Sequence, residues 1–258
     1  MPFWEQIEVF RKVLFRCLAV WAVCAVGAFC FKDALFTVLF APAQPDFVLY
    51  RGLCRLAEMT GWALFCPGDF HAQFINTELA SQFTIHLQVA LIVGCVVAFP
   101  YLLIQLYGFI APALYRQEKR YSVFLIFFGV VLFALGVLLN YFIIFPFAFR
   151  FLSTYQVQEA VVNQIALKSY TSTLLVLSLL MGILFEIPIV AYFLAKLGII
   201  DKEMLTRYRK HAFVVLCILA AVITPTADVF TLLLVTLPLY LLYEVSVIIV
   251  GRTNRMKE

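Results

Sequence analysis

Six apolar runs constrain this chain more than any other feature of its sequence. A bilayer's hydrocarbon core is about 30 Å thick, and a helix needs about 20 apolar residues to cross it. Residues 13–31, 87–106, 121–145, 171–195 and 230–250 meet that length, and residues 212–223 form a sixth, shorter run. Hydrophobic residues fill 64% of the 258 positions and charged residues 13%, whereas soluble domains are nearer half apolar and a quarter charged. The expected fold is an all-α polytopic membrane protein, a single integral membrane domain over residues 1–258 with six transmembrane helices. The connecting segments are then 1–12, 32–86, 107–120, 146–170, 196–211 and 251–258.

The last two helices are expected to be short. Residues 211–223 reach only about 20 Å at 1.5 Å per residue, and the run 230–250 carries Pro238 and Glu244. Either such a pair thins the bilayer locally, the reading favoured here, or the two helices are not a membrane pair. The Thr-Pro-Thr-Ala-Asp turn at 224–228 suits a tight hairpin, and Asp228 is placed to cap the helix that follows.

Basic residues set the orientation. With the N-terminus in the cytoplasm, fourteen of the nineteen Lys and Arg fall on inner segments, among them Arg11, Lys12, Arg16, Arg116, Lys119 and Arg120. Only Lys32, Arg51, Arg55, Arg150 and Lys168 lie outside. The positive-inside rule therefore puts both termini in the cytoplasm. No small-residue cleavage site follows the first apolar run, so that helix is read as permanent. Net charge is +4, far from the basic stripe of a nucleic-acid binder, and GxxxxGK[ST], GxGxxG and HExxH are absent. The sequence thus argues against an ATPase, a dinucleotide enzyme and a zinc protease, and it points to no cofactor or metal.

Segment 32–86 is long for a loop and is expected to be partly structured. Its end, INTELASQFTIHLQ, reads as a helix start capped by Asn76 or Thr77, with Glu78 in the first turn. The aromatic stretch PFAFRFLSTY is expected along the outer interface. Cys17, Cys24, Cys95 and Cys217 lie within apolar runs and read as small packing residues. Cys54 and Cys66 share the external segment and can pair if that compartment is oxidising, a structural rather than catalytic bond.

Acids at or inside the membrane carry the functional question. Glu118 lies in a short loop among Arg116, Lys119 and Arg120. It either makes surface ion pairs of little energy or offers a carboxylate to an incoming guanidinium, a bidentate geometry that lysine does not reproduce. Glu5 and Glu8 share one face of the N-terminal helix on the same side of the membrane. Glu186, in GILFEIPIV, is an acid inside a span, which marks a functional position by default. Two structural alternatives remain open there, a bond to a carbonyl freed by Pro188 and a bond between helices. Glu244 lies nearer a helix end, where it can snorkel. Pro100, Pro146, Pro188 and Pro238 read as kinks that shape a concave body.

FIAPALYRQEKR at 109–120 resembles the signature loop of the TatC family, the multispanning subunit of the twin-arginine protein translocase. FPYLLIQLYGF, YFIIFPFAFRFL, FEIPIVAYFLAKLGI and ITPTADVFTLLLVTLPLYLLYE extend the similarity in order along the chain. The resemblance implies a glove-like six-helix body and no enzyme activity. It implies recognition of folded precursors through signal peptides with paired arginines. The implied partners are TatA- and TatB-type single-span subunits, with copies of the chain forming a homo-oligomer in a receptor complex and transport driven by the proton-motive force. By the same resemblance, Glu118 binds the arginine pair, and Phe109, Pro112, Leu114, Tyr115 and Arg120 share its loop. Glu186 is the intramembrane acid of the concave pocket, and Gln105 a polar position on helix two. The sequence departs from the family at Val9, where an acid is usual and Glu8 lies one residue earlier, and at Gln88, where many relatives carry lysine. A proton-coupled solute transporter is the rival class, raised by Glu186 and Glu244, but no internal repeat of the kind such proteins carry is evident.

Overall fold

The computed structural model describes residues 3–60, 73–110, 119–155, 158, 163–224 and 228–255. Helix α1 (Phe3–Cys30) runs 28 residues, further toward the N-terminus than its apolar stretch requires, because the polar residues there pair along the helix: Glu8 and Lys12 meet at 2.9 Å. The segment after it forms α2 (Lys32–Phe40), a 3-10 turn holding Pro42, α3 (Val48–Thr60) and the short strand β1 (Phe74–Ile75). Helix α2, the 3-10 turn and β1 pack into one core with Phe40, Phe74, Phe145, Phe149 and Tyr170 as its aromatic members. The Tyr170 hydroxyl donates to the Leu39 carbonyl at 2.9 Å, and Tyr50 donates to Pro146 at 3.0 Å.

Helix α4 (Ser81–Ile110) follows. It starts at Ser81, so Asn76 and Thr77 do not cap it, and Glu78 turns away from it to meet Lys168 at 3.0 Å. The reason is tertiary: β1 pairs in parallel with a later strand, which holds residues 74–75 extended and brings Lys168 within reach. The Nε1 of Trp21 donates to the Leu91 carbonyl at 2.9 Å, fixing α1 on α4. The two helices cross at Gly94, where a Cβ would fall 2.6 Å from the Ala25 backbone.

Helix α5 (Lys119–Leu139), a π-turn at Asn140–Ile144 and α6 (Phe145–Thr154) form one nearly continuous rod. Pro146 lacks an N–H and sits in the first turn of α6, where none is needed. The π-turn before it absorbs the change of register, the Phe145 N–H reaching back to the Asn140 carbonyl. The aromatic stretch expected along the interface thus prolongs the third long helix.

Strand β2 (Ile165–Ala166) pairs with β1 and leads into α7 (Leu167–Leu184). A turn at Phe185–Glu186 separates α7 from α8 (Ile187–Lys196), which has Pro188 in its first turn. Gly198, at φ +74°, ends α8 in the left-handed conformation that glycine tolerates. Short α9 (Lys202–Arg207) precedes α10 (Arg209–Ile223) and α11 (Val229–Arg255). Asp228 caps α11, its carboxylate accepting the Thr231 N–H at 2.6 Å. The shortness expected of both final helices holds for α10 alone, at 15 residues; α11 runs 27 residues with Pro238 inside it. Glu244 does not curtail it, because Arg209 and Tyr240 hold the carboxylate at 2.8 and 3.1 Å.

Among the described residues, five helical stretches are long and apolar enough to cross a membrane: Ile7–Cys30, Ser81–Gly108, Leu125–Thr154, Leu167–Lys196 and Val229–Thr253. The shorter α10 packs beside the last of them, on a core built around Leu177, Met181, Val235 and Leu239.

Candidate functional site

The α7–α8 break presents an intramembrane acid, Glu186, whose buried Oε1 has no partner among the described residues. The Glu186 N–H bonds to the Ile183 carbonyl at 3.1 Å, while its own carbonyl accepts from Ile189 and Val190, both at 3.0 Å. The backbone is therefore satisfied through the break, and the side chain leaves the axis toward α5. There it meets a notch made by a missing side chain. A Cβ on Gly129 would lie 3.2 Å from Glu186 Oε2 and 3.0 Å from a Leu103 methyl. Around the notch is a cavity of about 290 Å³ with walls of Phe99, Leu103, Leu106, Ile126, Ile189 and Phe193. Tyr107 also borders it. Oε1 is buried and has no hydrogen-bond partner among the described residues. Neither alternative left open by the sequence, a freed carbonyl or a bond between helices, takes it up.

The other expected positions do not converge on this cavity. The Gln105 side-chain amide donates to Tyr101 at 2.9 Å, along its own helix, and stays off the cavity wall. Glu244 is tied to Arg209 and Tyr240 where α10 meets α11. Glu8 is exposed and paired with Lys12, and Val9 beside it is exposed as well. Ser172 meets Gln88 at 3.3 Å, so the residue that replaces the common lysine is held by α7.

Comparison with known proteins decides the family. Residues 5–238 match the profile of the Sec-independent protein translocase protein (TatC). The chain belongs to the TatC family. It is 36% identical over 260 residues to the TatC protein of Blattabacterium sp. subsp. Periplaneta americana, covering 100% of this chain and 97% of that one. It is 38% identical over 190 residues to the Helicobacter pylori (strain J99) TatC, covering 74% and 76%. The crystal structure of the twin-arginine translocase receptor TatC superposes with a TM-score of 0.76 at 30% identity, over 96% of this chain and 99% of that one. As a TatC protein, the chain is a multi-pass membrane subunit of the Tat translocase, a membrane component and not a catalytic enzyme.

Within the TatC signature loop, Phe109 lies in the last turn of α4 and Arg120 in the first turn of α5. Pro112, Leu114, Tyr115 and Glu118 lie outside the described residues. Cys54 is disulfide-bonded, and Cys66, with which it was expected to pair, also lies outside them. Sequence reasoning missed two features. Asn140, fully buried at the π-turn, donates to Ser178 at 2.8 Å. Its signal was a lone amide inside an apolar run, which a membrane tolerates only with a partner. Gly129 had no signal, since only the fold shows which glycine faces the acid.

Proposed function

We propose that this chain is the signal-peptide receptor subunit of a twin-arginine translocase. Its loop at 107–120 receives the paired arginines of a folded precursor at the cytoplasmic face of a bacterial inner membrane, and both termini lie on that side. Glu118 accepts the guanidinium pair. Phe109, Pro112, Leu114, Tyr115 and Arg120 shape the loop around it, and Glu8 supplies the second acid from α1. The neighbouring cations favour the ionised form of a carboxylate placed among them. Gln105 and Glu244 are further polar positions in the membrane body. Glu186 offers its unpaired carboxyl to the apolar segment of an entering peptide or partner helix. TatA- and TatB-type single-span subunits join copies of this chain in a homo-oligomeric receptor complex, and the proton-motive force drives export through a concave, glove-like body.

The observation that carries this reading is the end-to-end likeness to a twin-arginine translocase receptor, with FIAPALYRQEKR intact in the sequence. Photocrosslinking from position 118 to a twin-arginine precursor tests it, with a twin-lysine precursor as control. The expected adduct forms with arginine and not with lysine. Glu118→Ala and Glu118→Lys are expected to abolish peptide binding while the protein still inserts and assembles; wild-type affinity in either variant overturns the proposal.

A further inference from the structure

A second cavity lies at the other end of the helices, where α10 stops. It encloses about 410 Å³ between the start of α4 and the first turns of α7, and Ile223, the last residue of α10, forms part of its wall. Fifteen residues of helix span about 22 Å, roughly 8 Å short of a hydrocarbon core. The cavity therefore occupies a depth that a full-length helix would have filled.

Its lining is graded along α7. After Leu167 at the start of the helix come Lys168, then the hydroxyls of Ser169, Ser172 and Thr173, then Val176. These eight residues of rise cover about 12 Å. Opposite Lys168 stands Glu78, with Nζ 3.1 and 3.0 Å from its two carboxylate oxygens. Both side chains are more than half exposed, at 53% and 57%, so the pair stays open to a ligand. A cation and an anion side by side, then hydroxyls, then apolar carbon is the order of groups met on passing from the head of a zwitterionic phospholipid through its glycerol to its acyl chains. A lipid phosphate would bond Lys168 and a primary ammonium would bond Glu78, turning one ion pair into a ring of alternating charge.

We infer that this cavity seats the headgroup of a phospholipid carrying a primary ammonium, of the phosphatidylethanolamine type, drawn below the normal headgroup level by the shortness of α10. The site is separate from the signal-peptide loop: none of the loop's described residues lines it.

Native mass spectrometry of the whole protein in detergent tests this, with phosphatidylethanolamine, phosphatidylcholine and phosphatidylglycerol of matched chains added one at a time. Phosphatidylethanolamine is expected to be retained about ten- to a hundredfold better than phosphatidylcholine, whose quaternary ammonium has no N–H for Glu78, a difference worth one charge-assisted hydrogen bond. Glu78→Gln is expected to erase that preference, and Lys168→Gln to weaken retention of all three lipids. Equal retention of the first two lipids by the wild type overturns the inference, as does a preference that survives Glu78→Gln. Stronger retention of phosphatidylglycerol overturns it in favour of a plain anion site. Twin-arginine peptide binding, measured on the same preparations, is expected to be unchanged, which separates this test from that of the receptor reading.

Discussion

Glu186→Leu is expected to make the protein more stable and less active at once. Oε1 is buried without a partner among the described residues, and a buried acceptor left unpaired costs about 1–3 kcal/mol. Leucine is similar in volume, and the walls it would meet, Leu103, Leu106, Ile126 and Ile189, are aliphatic. The substitution therefore removes the desolvation cost and adds dispersion contacts without overfilling the notch at Gly129. For a chain of this size about 1 kcal/mol shifts Tm by roughly 2–4 °C, so the expected rise is about 2–12 °C in detergent, followed by thermal unfolding. Glu186→Gln, which buries an amide in place of the carboxyl, is expected to show little of that rise. Export of a twin-arginine reporter in cells is expected to fall with leucine. A melting point at or below wild type would mean that the carboxyl has a partner and serves the fold. A higher melting point with full export would mean that the unpaired acid has no part in transport.

Three further substitutions address the frame around the site. Gly136→Leu puts a side chain where even a Cβ would lie 2.6 Å from the Met181 carbonyl oxygen; α5 and α7 must separate, and the cost is expected to be at least about 1–3 kcal/mol, read as a lower Tm. Asp228→Ala removes the acceptor of the Thr231 N–H at the start of α11, and a loss of about 1 kcal/mol is expected from chemical denaturation. Cys54→Ser removes a disulfide, and about 2–4 kcal/mol of stability is expected to go with it; reductant should lower the wild-type Tm and leave the variant's unchanged.

The five long helices were legible in order because each carries its own signal, an apolar run whose length matches a bilayer. Local chemistry was legible where a residue acts on its neighbours in sequence, as Asp228 does in capping α11. What escaped depended on contacts between distant residues. Glu78 carried every local mark of a helix's first turn, yet the pairing of Phe74 with Ile165 placed Lys168 closer. Pro238 and Glu244 predicted a curtailed final helix, but Arg209, 35 residues away, neutralises the acid and α11 runs on. At the candidate site, Glu186 stood out as a charge in an apolar run. Its lack of a partner was not legible, because a sequence cannot list the groups that fail to reach an atom.

The rival class can be weighed on the same geometry. A proton-coupled transporter needs its intramembrane acids on one path, linked by groups that hand a proton from one to the next. Glu244 is held by an arginine and a tyrosine at the junction of α10 and α11, which fixes it as a countercharge rather than a relay. Glu186 sits among apolar walls from α4, α5 and α8, and among the described residues Tyr107 is the one other with a titratable side chain on its cavity. The two acids therefore share no cavity among the described residues. A solitary carboxyl facing an apolar hollow suits a different task, meeting a polar group carried in by an otherwise apolar segment, where one hydrogen bond in a dry setting counts for more than it would in water.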